Sequence, residues 1–226
     1  MAIVSTVFRL PTITLTLLSM SLMCAAQEKK IAYGILLDNT GSMRPQFSVV
    51  NELGKVIVHQ IHDYGPVSLF DFHSEGRRPG TNAVATLRLE ASQDEPLLNR
   101  AIDNLYVEGG QTTLLDAFEF IEQALNRSMP DTNKIIILIT DGEDRTSTTD
   151  QNKLIKQLKE KKIAVFAVGL VQQLDDESGL IRLSPRARAI ELLRSITKDT
   201  GGRVVFPKSD RVQVEKVLTE LALPSS

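Results

Sequence analysis

The chain has 226 residues, a formal charge of −2 and a hydrophobic fraction of 42%, ordinary values for a folded domain with a sizeable core. That balance gives no broad basic surface of the kind a nucleic-acid or anionic-membrane binder needs. The absence of Trp and an aromatic content of 5% argue against a base-stacking platform.

Residues 1–26 carry one charge, Arg9, ahead of an uncharged run that ends in "MCAAQ". Small residues at Cys24 and Ala26 fit a secretory signal cleaved near Ala26–Gln27, which predicts a secreted or periplasmic protein. The alternative is a membrane anchor over residues 8–26, for which the Ser, Thr and Pro content is poorly suited. Cleavage removes Cys24, the single cysteine, so residues 27–226 are expected to fold as one domain without disulfides, thiol catalysis or thiolate metal sites.

Strand and helix patterns then alternate. "IAYGILLD" (31–38) is an apolar run suited to a strand buried on both faces. Residues 47–62 place Phe47, Val50, Leu53, Ile57 and Ile61 at helical spacing. Residues 66–73 and 82–90 read as strands joined by the short loop "SEGRRPGT", too short for a parallel crossover, so this pair is an antiparallel hairpin. Helices are expected at 96–105 and 112–127, a strand at 134–140, a helix at 151–162 and a strand at 163–170. A long irregular piece covers 171–187, followed by a helix closed by Gly201–Gly202, a short strand at 203–207 and a last helix at 210–223.

This alternation predicts an α/β fold, a doubly wound and mostly parallel six-stranded sheet with one antiparallel edge strand and helices on both faces. With strand order 3-2-1-4-5-6, assumed at this point, the order reverses between the first and fourth strands, and ligands bind beyond the carboxyl ends there. Those strands end in Asp38 and Asp141. Asp38, Thr40 and Ser42 of "DNTGSM", Thr112 of "GGQTTLLDA" and Asp141 of "ITDGED" put three hydroxyls and two carboxylates on three loops at one end of the sheet. Such a donor set, without thiolate or imidazole, suits Mg²⁺, with Mn²⁺ or Ca²⁺ as alternatives.

These three segments, in order across the whole mature chain, resemble the metal-ion-dependent adhesion site of von Willebrand factor type A (VWA) domains. The first part of that site reads Asp-x-Ser-x-Ser; here Thr40 stands at the middle position, so its methyl must be accommodated. The resemblance implies that the hydroxyls of Thr40, Ser42 and Thr112 contact the ion directly, with one or both of Asp38 and Asp141 acting through water. Neutral hydroxyls leave a dication partly uncompensated, so the implied ligand is a partner protein's Asp or Glu carboxylate, and the implied activity is adhesion and not catalysis.

Each segment also has a plain structural reading. "TLLD" (113–116) fits a capping box, and "TDG" fits turn chemistry. Glu143, Asp144 and Asp150 read as a solvated acidic loop. His59, His62 and His73 have no cysteine nearby and no pattern of outer partners, so a zinc site is not expected. "NRS" at Asn126 fits a glycosylation acceptor. The "RRPG" hairpin tip (77–80) reads as a solvated turn. The 171–187 segment leaves a strand's carboxyl end and is a candidate partner-specificity element.

Two other functions compete. "DNTGS" is similar to the "DKTGT" loop of phosphoaspartate-forming ATPases and their HAD-like phosphatase relatives, in which the aspartate is a nucleophile. Asn39 stands where those enzymes carry Lys, and they do not use the "GGQT" element. The other alternative keeps the VWA fold as a structural subunit with a vestigial metal site.

Overall fold

The structure is a computed structural model that describes residues 30–73, 85–110, 112–177, 183–208 and 213–224. The signal-peptide expectation over 1–26 and the hairpin tip at 77–80 lie outside the described residues.

Six strands form one sheet in the order β3-β2-β1-β4-β5-β6. They are β1 (Ile31–Asp38), β2 (Val67–Phe72), β3 (Thr86–Ser92), β4 (Asn133–Thr140), β5 (Ile163–Gly169) and β6 (Val204–Val205). All neighbours are parallel except β2 and β3, which form the expected antiparallel edge pair with register shifts. The helices are α1 (Phe47–Ile61), α2 (Glu95–Asp103), α3 (Leu114–Ser128), α4 (Gln151–Glu160), α5 (Pro185–Asp199) and α6 (Val214–Leu221). Among the described residues no helix is long and apolar enough to cross a membrane.

Alternation along β1 builds two cores. Tyr33, Ile35 and Leu37 face one side, where α1, α2 and α6 add Leu53, Ile57, Leu98, Ile102 and Leu221. Leu36 faces the other side with Phe118 and Ile121 of α3, Leu154 and Leu158 of α4 and Leu193 of α5. A strand covered on both faces is apolar at every position, which is why β1 and β4 read as continuous runs. The Tyr33 hydroxyl donates to the Pro224 carbonyl at 2.9 Å, fastening the end after α6 to the first strand. Burial, with Tyr64 adding to it, pushes that phenol up to about 12.

Among the element starts that differ from expectation, those of α5 and α3 have a clear cause. α5 begins at Pro185, inside the segment read as irregular, because Ser184 caps it (its Oγ accepts from the Ala187 amide at 3.1 Å) and proline suits the first helical turn. α3 begins at Leu114 and its "TLLD" capping box does not form: Thr113 makes no cap hydrogen bond. The Asp116 carboxylate instead accepts from the Thr148 and Thr149 amides at 2.9 and 2.8 Å.

Candidate metal centre

β1 and β4 are the two adjacent central strands and end together, with Leu37 beside Ile139 in the register. Asp38 therefore lies next to Thr140, and Asp141 follows one residue beyond. Asp38 Oδ2 accepts from the Thr140 hydroxyl at 2.5 Å, and that hydroxyl accepts the Gly142 amide at 3.0 Å. Gly142 has φ of +78°, the left-handed turn that swings the acidic loop away from β4.

On the first loop, Asp38 Oδ1 accepts from both the Thr40 amide (3.0 Å) and the Thr40 hydroxyl (2.6 Å), a local side-chain turn favoured by an aspartate after a strand. Thr40 Oγ1 and Ser42 Oγ are 3.1 Å apart, and the Ser42 hydroxyl lies near enough to the Asp141 carboxylate to favour its charged form. Three of the five expected residues, Asp38, Thr40 and Ser42, thus form one connected chain of oxygens, and Asp141 lies close by. The hydroxyl at position 40 faces this group, so the Thr-for-Ser exchange does not turn it away.

Thr112 enters differently. It is buried, and its carbonyl accepts from the Arg145 and Thr146 amides at 2.9 and 3.3 Å, which seats its loop against the one carrying Asp141. Gly109 and Gly110, at φ of +90° and +83°, make the turn before it. A Cβ on Gly41 would be 3.7 Å from the Gly109 Cα, so the first and second loops lie nearly in contact.

Asp38 and Asp141 are both essentially inaccessible to solvent. Burial, with Asp141 as the next cause, pushes the Asp38 carboxyl up to about 7. Burial also raises Asp141, against the Ser42 hydroxyl and the Glu143 amide, which favour its charged form. Asp141 Oδ1 accepts the Glu143 amide at 3.0 Å, but buried Oδ2 has no hydrogen-bond partner. Two repelling carboxylates, one with an orphaned buried oxygen, together with the neutral hydroxyls of Thr40 and Ser42, form a donor set that fits a hard divalent cation.

A second network was missed by sequence reasoning. Asp71, buried in β2, takes a bidentate pair from Arg88 of β3 (2.7 and 2.6 Å) and a bond from the Asn39 side-chain amide (2.6 Å). Arg88 also donates to Glu108 at 2.6 Å, whose backbone amide bonds the Asn39 carbonyl at 3.1 Å. Asn39 lies between Asp38 and Thr40, so this network ties the first two site loops to the hairpin edge. Its signal was Asp71, a charge inside the apolar run "VSLFDF".

The acidic loop is a structural element and not simply solvated. Asp144 accepts from the Leu114 amide (2.9 Å) and the Ser147 hydroxyl (2.5 Å), while Ser147 Oγ accepts from the Leu115 amide at 3.1 Å. Asp150 caps α4, accepting from the Lys153 amide at 2.8 Å. Asn126 sits within α3 with its side-chain amide donating to the Glu122 carbonyl at 2.9 Å. Residues Val171–Gln173 form one 3-10 turn, and Arg186 braces this stretch by donating to the Gln172 and Leu174 carbonyls at 3.0 and 2.8 Å. Gln46, just past the first site loop, donates to the Leu170 carbonyl at 2.9 Å, so the start of this stretch lies beside that loop. Beside Asp141 an open groove of about 790 Å³ is lined by Gly142, Glu143, Arg145, Arg188 and Glu191 among others.

The family model described as "von Willebrand factor type A domain" matches residues 34–218. A curated relative, the collagen alpha-6(VI) chain of Homo sapiens, is 24% identical over 217 residues, covering 89% of this chain but only 9% of the collagen chain. Among solved structures, a conserved hypothetical protein, BatB from Bacteroides thetaiotaomicron, superposes with a TM-score of 0.60 at 19% identity over 85% of this chain and 97% of its own. The pilus adhesin SpaC from Lactobacillus rhamnosus GG, in an open conformation, gives 0.62 at 16% identity, covering 87% of this chain and 29% of the adhesin. A von Willebrand factor type A structure from Catenulispora acidiphila gives 0.60 at 19% identity over 86% of this chain and 42% of its own. At these identities the structural likeness establishes the fold.

Proposed function

The chain belongs to the von Willebrand factor type A family, and on that basis we propose that it is an exported, non-enzymatic domain that binds a partner protein through a divalent cation. Thr40, Ser42 and Thr112 would hold the ion by their hydroxyls, and Asp38 and Asp141 would supply its negative charge. The cation, Mg²⁺ by the hardness of these donors, supplies a positive centre whose charge the protein's own groups offset only in part. The complementary ligand is a partner's Asp or Glu carboxylate, approaching over the groove beside Asp141. Nucleic acid has no counterpart in this chemistry.

The observation that carries this reading is Asp141 Oδ2, buried without a partner close to the linked oxygens of Asp38, Thr40 and Ser42. A phosphoaspartate mechanism is less well supported, because both oxygens of Asp38 are already engaged by Thr40 and Thr140. The 171–187 segment follows Leu170, whose carbonyl accepts from Gln46 just past the first site loop, and is the proposed selectivity element. The test is a pull-down from native extract with Mg²⁺ and with chelator, using wild type and Asp38→Ala. Capture that requires Mg²⁺ and disappears in the variant is expected; capture indifferent to chelator sinks the proposal.

A further inference from the structure

At the other end of α1 from the site loops, about 22 Å away at the helical rise per residue, two histidines meet a glutamate that lies far away in sequence. His59 is in the last turn of α1 and His62 is its C-cap, a spacing that puts both on one face. Glu95 is the first residue of α2. His59 Nδ1 is 3.1 Å from Glu95 Oε1, and His62 Nε2 is 3.2 Å from Glu95 Oε2. One ligand atom from each residue can be chosen so that all three lie within 4.8 Å of one another.

We propose that His59, His62 and Glu95 form a zinc site that fastens α1 to α2 and keeps a coordination position open to solvent. Metal–ligand bonds of about 2.0–2.1 Å in a tetrahedron place neighbouring donor atoms about 3.3 Å apart. Each histidine nitrogen is already about that far from one of the two Glu95 oxygens, and a small adjustment within the 4.8 Å triad brings both to a single carboxylate donor. Two imidazoles and one carboxylate are the ligand set of zinc sites that retain an exchangeable position.

The surroundings also orient His62 for ligation. His62 lies between two carboxylates, with Nδ1 at 3.3 Å from Asp63 Oδ1 and Nε2 facing Glu95. A neutral imidazole has one proton and cannot donate to both. Asp63 beside Nδ1 leaves Nε2 as the nitrogen that faces Glu95 and can ligate a metal shared with it. A carboxylate behind a ligating histidine is the usual device for fixing its tautomer.

The frame is also built. Asp94 caps α2 by accepting from the Leu97 amide at 2.9 Å, which fixes the turn carrying Glu95. The Gln93 side-chain amide donates to the His62 carbonyl at 2.9 Å, joining the two helix ends. His59 is 74% exposed in its side chain, so the open position faces solvent and is accessible to a further donor. By contrast, the other candidate group among the described residues, Asp71, His73 and Glu108, is already compensated by the Arg88 guanidinium.

The test titrates untagged full-length chain with Zn²⁺ against a chromophoric chelator, in excess Mg²⁺ to saturate the oxygen-rich centre. One equivalent of zinc is expected to bind. His59→Ala and His62→Ala each abolish it, Asp63→Ala weakens it roughly 10–100-fold, and Asp38→Ala leaves it unchanged. Co²⁺ in place of zinc gives the visible absorption of a tetrahedral site in wild type and loses it in His59→Ala. No zinc uptake, or uptake unaffected by His59→Ala, overturns the proposal; position 59 is exposed, so that variant keeps its fold. Because Asp38→Ala removes only the other centre, failure of one site is distinguishable from failure of the other.

Discussion

Asp38 is held in a place that burial and a second carboxylate make hostile to its charge. Its folded-state value of about 7 lies above the unfolded value of 3.8. The folded chain therefore binds this proton more tightly than the unfolded chain does. The stabilising contribution is complete below pH 3.8, shrinks as pH rises from there, and is gone above about 7. Asp141 is shifted in the same direction. In thermal melts the metal-free protein should lose stability between pH 4 and 7, and Mg²⁺ should restore it at pH 7 by occupying the proton's place. Asp38→Asn should raise the metal-free melting temperature at pH 7.5, by about 2–4 °C for each kcal/mol relieved, and abolish the response to Mg²⁺. A variant that melts lower without metal, yet still responds to Mg²⁺, would contradict both halves.

Arg88 poses the opposite case, a charge whose removal leaves a partner stranded. Asp71 is wholly buried and relies on the bidentate guanidinium. Arg88→Ala should cost about 3–5 kcal/mol, the range for breaking a buried ion pair from one side. Arg88→Lys should recover only part of that, since an ammonium cannot make the paired contacts. Denaturant unfolding measures both. Because Asn39 shares Asp71, the same variants should weaken Mg²⁺ binding without touching a proposed ligand.

At the scale of elements, α3 shows how a local motif is overridden. Sequence pattern assigns its cap to Thr113 and Asp116, yet the loop after β4 supplies Asp144 and Ser147 to the helix amides. A non-local cap couples the helix start to the loop that holds Asp141, so helix and site are secured together. Asp144→Ala should lower stability by about 0.5–2 kcal/mol, the usual worth of a cap, and Thr113→Ala by much less. Equal losses in urea melts would restore the local capping box. The α5 start is the converse: "SPRA" at 184–187 is a complete local cap that the irregular composition upstream concealed.

For the whole molecule, topology does most of the work of assembling the site. The strand order places β1 beside β4 at the point where chain progression reverses, so Asp38 and Asp141 meet although about a hundred residues separate them. The family match and the superposed relatives agree with this architecture. The zinc proposal is equally topological, since His59 and Glu95 are 36 positions apart and meet only because α1 packs on α2.

The strand and helix succession, the antiparallel edge pair and the clustering of oxygen donors at strand ends were legible in residue order alone. Burial on two faces, turn chemistry and short connections all leave periodic or local traces in a chain. The register that sets Thr140 against Asp38, the orphaned oxygen of Asp141, the Arg88 clamp behind Asn39 and the borrowed cap of α3 were decided only by the tertiary structure. Each depends on a distance between residues remote in sequence, and a linear pattern carries no record of such distances until the sheet has closed around them.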